Sequence, residues 1–234
     1  MPTPTRYPSG VSTALRNTTL WNAGFADPTK WHIYFNDFDS YVSGDWTITL
    51  TEAGAGSASV ALTDIDGGAL LITNDAADND AAFFNKKGES FLLEAGKKAF
   101  FKTRFKVSDA TQSDVVVGLQ ITDTTPLDVT DGIYFLKADD AATLDVICRK
   151  NATTGSTSAS AITSLADDTF ITLGWYYDGK GSLAYFVNDV QKGTLDASSS
   201  YLPDTELTVS FGIQNGAAAA KTMTLDYILA AKER

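Results

Sequence analysis

The run FITLGWYYDGKGSLAYFVNDVQKGTL, residues 170–195, reads as three consecutive antiparallel strands. Ile171, Leu173, Trp175 and Tyr177 alternate with Phe170, Thr172, Gly174 and Tyr176, the period of a pleated strand with two distinct faces. Asp178-Gly179-Lys180-Gly181 then turns the chain, because glycine accepts the positive φ of a tight hairpin. Leu183, Tyr185 and Val187 form the next alternating face, Asn188-Asp189 makes a second two-residue turn, and Val190 to Leu195 returns. One face of such a meander needs a partner layer, so the rest of the chain is expected to supply a second sheet.

The flanking sequence repeats the pattern. In AFFKTRFKV, residues 99–107, Phe101, Thr103, Phe105 and Val107 take one face and Lys102, Arg104 and Lys106 the other. Alternating or short apolar runs recur at HIYFNDFDSY, DWTITL, SASVAL, ALLITN, AAFFNK, DVVVGLQI, GIYFLKA, TLDVICRK, AITSL, LTVSFGI and TMTLDYILA. About fourteen short strands separated by regular turn signals predict an all-β, antiparallel two-sheet sandwich over residues 31–234. No stretch predicts a helix. The TDTTPLDVTD segment reads as a polar connecting loop, and NATTGSTSAS as an exposed loop or weak edge strand.

Residues 1–30 differ. Four of the six prolines lie there, with Thr, Asn and Ser and no sustained period, which predicts an extended N-terminal arm without a core of its own. Tyr7, Trp21, Phe25 and Trp31 favour an arm that orders on a neighbouring subunit, since a solvated tail gains nothing from large apolar rings.

At 234 residues the chain fits one large β domain. Its formal charge is −11, carried mostly by Asp, a turn and loop residue, rather than by helix-favouring Glu. That balance argues against a nucleic-acid groove or an anionic membrane as partner, since both need clustered Lys and Arg. MPTPTRYPSG has no apolar leader core, so synthesis in a cytoplasm is expected, and the Asn17 and Asn151 sequons then carry no glycans. Cys148, the single cysteine, alternates within LDVIC as a core residue.

Catalytic patterns are scarce. His32 is the only histidine, which excludes a serine triad and a zinc site of the usual ligands. Glycoside hydrolysis needs two carboxylates about 5–9 Å apart. Glu52, Glu89, Glu94, Glu206 and Glu233 form no Glu-x-Asp-x-x-Glu strand, and Asp37 and Asp39 are read as strand-end residues. The expectation is a chain that is not an enzyme and needs no cofactor. The candidate calcium ligands are Asp75, Asp78 and Asp80, with Asp64 and Asp66 behind them, because Asp-rich loops supply the oxygens calcium takes. A glycan platform would use Trp175, Tyr176, Tyr177 or Tyr185, of which Tyr176 and Tyr177 cannot both point inwards.

TRYPSGV followed by DPTKWHIYFNDFDSYVSGDWTIT resembles the opening of tailed-bacteriophage virion proteins that decorate the capsid. AFFKTRFKV, DGIYFLKADD, WYYDGKGSLAYFVNDVQKGTL and TLDYILA resemble the concanavalin A-like lectin/glucanase jelly roll. The resemblance implies a capsid decoration or cement protein, located in the virion. Its partners would be the major capsid protein and further copies of itself in a homo-oligomer. The alternative it implies is a glycan-binding, lectin-like module of a phage fibre or tail. The metal-binding acids with histidine of the lectins and the Glu-rich strand of the glucanases are not matched, so no catalytic or sugar-binding residue carries over.

Overall fold

The computed structural model describes residues 29–53, 55–153 and 158–234. Sixteen strands are formed in them. They are β1 (Trp31–Asn36), β2 (Trp46–Thr51), β3 (Ser59–Thr63), β4 (Ala69–Thr73), β5 (Ala81–Lys86), β6 (Phe91–Leu92), β7 (Ala99–Val107) and β8 (Ser113–Gln120). The second half adds β9 (Gly132–Lys137), β10 (Thr143–Arg149), β11 (Ala159–Ser164), β12 (Ile171–Tyr177), β13 (Ser182–Val187), β14 (Val190–Asp196), β15 (Glu206–Asn215) and β16 (Thr222–Glu233). Two short 3-10 turns, Ser43–Asp45 and Pro126–Asp128, are the helical elements among the described residues, and neither could cross a membrane.

The strands form two eight-stranded antiparallel sheets. The first runs β11-β10-β9-β8-β15-β5-β2, with β6 paired to the start of β15; the second runs β14-β13-β12-β7-β16-β4-β3, with β1 paired to the end of β16. The expected sandwich is therefore present, and the expected meander is β12-β13-β14 at one side of the second sheet. Its turns follow the predicted chemistry: Gly179 and Gly181 take φ of 78° and 99°, and Asn188 and Asp189 take 48° and 63°, as a two-residue hairpin requires. The β6 pairing was not foreseen, because two residues carry no period.

Alternation places Leu207, Val209, Phe211 and Ile213 of β15 against Phe101, Phe105, Leu173, Trp175 and Ile228 of the second sheet in one apolar core. Phe84 stacks on Phe211 at 5.1 Å and Trp175 on Phe101 at 6.0 Å. Each such buried aromatic contributes on the order of 2 kcal/mol or more through area removed from water.

Two of the connections between the sheets, β7 to β8 and β15 to β16, are tied together by an ion pair of 2.6 Å between Asp109 and Lys221. The acidic 74–80 loop is fastened to the same end. The Asn74 amide donates to the carbonyls of Asp80 and Ile213, and the Asn215 amide to those of Asp75 and Ala77.

Trp31, grouped with the arm's aromatics although the sandwich was expected to begin at it, is the first residue of β1 and is buried. With Phe100, Tyr176 and Ala231 it forms a second apolar cluster on the outward face of the second sheet. Tyr7, Trp21 and Phe25 lie outside the described residues.

Candidate functional site

The outward face of the first sheet follows from the same alternation that fills its core. Ala82 and Phe84 point inwards from β5, so Ala81, Phe83 and Asn85 point out. On β15 the outward positions are Thr208, Ser210, Gly212 and Gln214; on β2 they are Thr47, Thr49 and Thr51; on β9 they include Tyr134 and Leu136. These strands are adjacent through long-range pairing, with Thr49 opposite Phe83 and Phe83 opposite Gly212. Gly212 matters for shape: an added Cβ would stand 2.5 Å from the Phe83 ring and from the Ala82 carbonyl. The absent side chain lets the ring lie down over β15.

Residues 122–131, read from sequence as a polar loop, form together with Ile121 a strap folded onto this face. Ile121 donates its backbone N–H to the Asp131 carbonyl, closing the base at 3.2 Å. The Gln120 Nε2 donates to the Pro126 carbonyl at 2.9 Å, and Asp128 pairs with Arg149 of β10. That pairing holds the guanidinium above its ordinary pKa. Asn151 donates its backbone N–H to Asp131 Oδ1, and Glu89 accepts from the Thr122 N–H. Ile121, Leu127 and Val129 pack on Ala81, Phe83, Val116 and Tyr134, with Val129 fully buried. Burial of Val129 alone, at about 1.5–3 kcal/mol, outweighs the ion pair at roughly 0–1 kcal/mol, and the half-buried Ile121 and Leu127 add to it.

Between the strap tip and the edge of the sheet lies a cleft of about 240 Å³. Its walls are Thr49 and Thr51, Phe83, Gln214, and the strap residues Thr124, Thr125, Pro126, Leu127 and Asp128. Gln214 is held by hydrogen bonds from its Nε2 to the carbonyl and side-chain oxygens of Asn79. On the same outward face, Asn85 Oδ1 and Gln120 Oε1 are buried with no protein hydrogen-bond donor. Asp128 supplies the one carboxylate among the described lining residues.

The residues singled out from sequence lie elsewhere. Trp175 and Tyr177 are core residues, Tyr185 packs on the core, and Tyr176 faces outwards in the second cluster; the meander aromatics thus make no glycan platform, because alternation turned most of them inwards. Asp37 and Asp39 follow the end of β1, as the sequence reading placed them, on the second sheet's side. Withdrawal from water, then the charges of Asp226 and Asp39, raise the Asp37 pKa.

Asp80 is buried, and its carboxylate accepts the backbone N–H groups of Ala53 and Ala77, while Asp78 is exposed and Asp75 half-buried. Among the described residues no three His, Cys, Asp or Glu side chains are grouped as metal ligands. His32 shares a hydrogen bond of 3.0 Å with Ser90 and lies against Phe91; burial, then Arg234 and Lys232, lower its pKa. Cys148 is buried in the core, with its pKa pushed up to about 12 by desolvation.

No protein-family model matches the chain, and no curated protein matches it in sequence. Solved structures do match in fold. A glycoside hydrolase family 16 enzyme of the Bacteroides ovatus mixed-linkage glucan system, in complex with a G4G4G3G product, aligns with a TM-score of 0.61 at 14% identity, over 83% of this chain and 98% of its own. The endo-1,3-beta-glucanase of Streptomyces sioyaensis gives 0.60 at 15% identity, over 88% and 98%. The carbohydrate recognition domain of Emp46p, in its potassium-bound form, gives 0.55 at 12%, over 84% and 94%.

These likenesses show the fold: a concanavalin A-like jelly roll of the type found in glucanases and lectin domains. They also correct one expectation. The chain was expected not to be an enzyme because its sequence lacks a Glu-rich catalytic strand, yet structures of this architecture include endo-glucanases, so the missing motif does not remove it from that class.

Proposed function

We propose that this chain is a carbohydrate-active jelly roll that holds a glycan in the cleft between the strap and strands β2, β5 and β15. The observation that carries the reading is the composition of the cleft wall. Threonine hydroxyls and the Gln214 amide surround the ring of Phe83. Sugars present both hydroxyls and an apolar C–H face, and such ligands are held by a few placed polar groups around an apolar or aromatic surface. The fold likeness to an enzyme solved with a glucan product supports a glycan as the class of ligand.

The test is a panel of soluble β-1,3 and mixed-linkage glucans, scored for binding and for release of new reducing ends. Saturable binding supports the reading. Release of reducing ends adds hydrolysis, with Asp128 the first carboxylate to substitute. No binding across the panel overturns it.

We also propose, as a second reading, the capsid decoration role implied by the resemblance of the opening segments, with further copies of the chain and a capsid protein as partners. The observation favouring it is the apolar outward face of the second sheet, where Phe35 is 56% exposed beside the Trp31 cluster, on the strand that follows residues 1–28. None of the structures compared above is described as a virion protein. The copy number of the chain in purified particles, relative to the major capsid protein, tests this reading; absence from particles ends it.

A further inference from the structure

We infer that the cleft takes the end of a glycan chain rather than a stretch from its middle. This rests on the glycan reading and specifies its ligand. A chain entering over β2 and crossing the strands of the outward face would meet the strap, which packs on Val116 of β8 and Tyr134 of β9. Its tip reaches from Gln120 at the end of β8 to the cleft beside Thr49 and Thr51 on the far side of the sheet.

The strap is built into the face rather than laid on it. Val129 is fully buried against outward-facing residues, and the base and both flanks are hydrogen-bonded. The remaining space is therefore blind on the strap side. At about 240 Å³ it falls below the roughly 300–1,000 Å³ of sites that enclose a drug-sized ligand, which leaves room for about one or two sugar units. The Streptomyces sioyaensis glucanase matched in fold is named an endo-enzyme, one that acts within chains, and binding of chain ends would set this chain apart from it.

Calorimetric titration with linear β-1,3-gluco-oligosaccharides of increasing length, and with a cyclic β-glucan that has no chain ends, tests the inference. The linear series is expected to bind with affinity that changes by less than about threefold beyond the first few units, and the cyclic glucan not to bind. Cyclic glucan binding as tightly as linear, or linear affinity still climbing about tenfold past four units, overturns it while leaving the glycan reading intact. If neither ligand type binds, the glycan reading falls and this inference with it.

Discussion

The ring of Phe83 lies over Gly212, its opposite number on the neighbouring strand, in the space a Cβ would fill. This makes one missing side chain a determinant of the cleft floor. Gly212→Ala is expected to force the ring up or the strands apart, an overpacking cost of about 1–3 kcal/mol. Thermal unfolding should shift down by several degrees, and any glycan affinity should fall with it. An unchanged melting temperature would show that Phe83 has an equally good alternative position.

The strap should loosen as a unit when its root bond is removed. Gln120→Leu deletes the donor to the Pro126 carbonyl, for a loss of about 1–3 kcal/mol. Amide exchange is expected to quicken across residues 122–130 while β15 and β16 keep their protection. Uniform quickening would mean that the strap and the sandwich open together.

Acid should weaken the crossover end of the sandwich through Asp109. Its carboxylate accepts the backbone N–H groups of Gln112 and Thr111 and pairs with Lys221, which holds its pKa at about 2 against an ordinary 3.8. A lowered folded-state pKa stabilises above the ordinary value, and that stability is lost as pH falls from about 4 through about 2. The contribution is on the order of 2 kcal/mol. Urea unfolding at pH 6 and pH 2.5 should show Asp109→Asn with a smaller acid-induced loss than the parent chain; equal losses would assign the acid sensitivity to other carboxylates.

Cys148 should be chemically silent in the folded chain. Burial pushes its pKa up to about 12, and only the thiolate reacts. Thiol reagents at pH 8 are expected to label it only after denaturation. Rapid labelling under native conditions would require the core around β10 to open readily.

How much of this could be read in advance differs from fold to site. Alternation in AFFKTRFKV and in the 170–195 meander gives both strands and faces, because a half-buried strand writes its two environments at a period of two. The site is written nowhere as a motif. Thr49, Phe83 and Gln214 are far apart in sequence and meet only because β15, β5 and β2 are neighbours in one sheet. The strap looked like a polar loop because Ile121, Leu127 and Val129 follow no period; the sheet beneath them supplies the partner surface. Conversely, Trp175 and Tyr177 drew attention as aromatics, and the alternation that revealed their strand also buried them.

The most direct test of the account is isothermal titration of a linear β-1,3-gluco-oligosaccharide into the parent chain and into Thr49→Val/Thr51→Val. The substitutions keep side-chain volume and remove two hydroxyls from the cleft wall. The account predicts saturable binding to the parent chain, weakened about tenfold or more in the variant at an unchanged melting temperature, since each lost hydrogen bond is worth about 0.5–1.5 kcal/mol. No heat of binding to the parent chain, or equal affinity in both proteins, would contradict it.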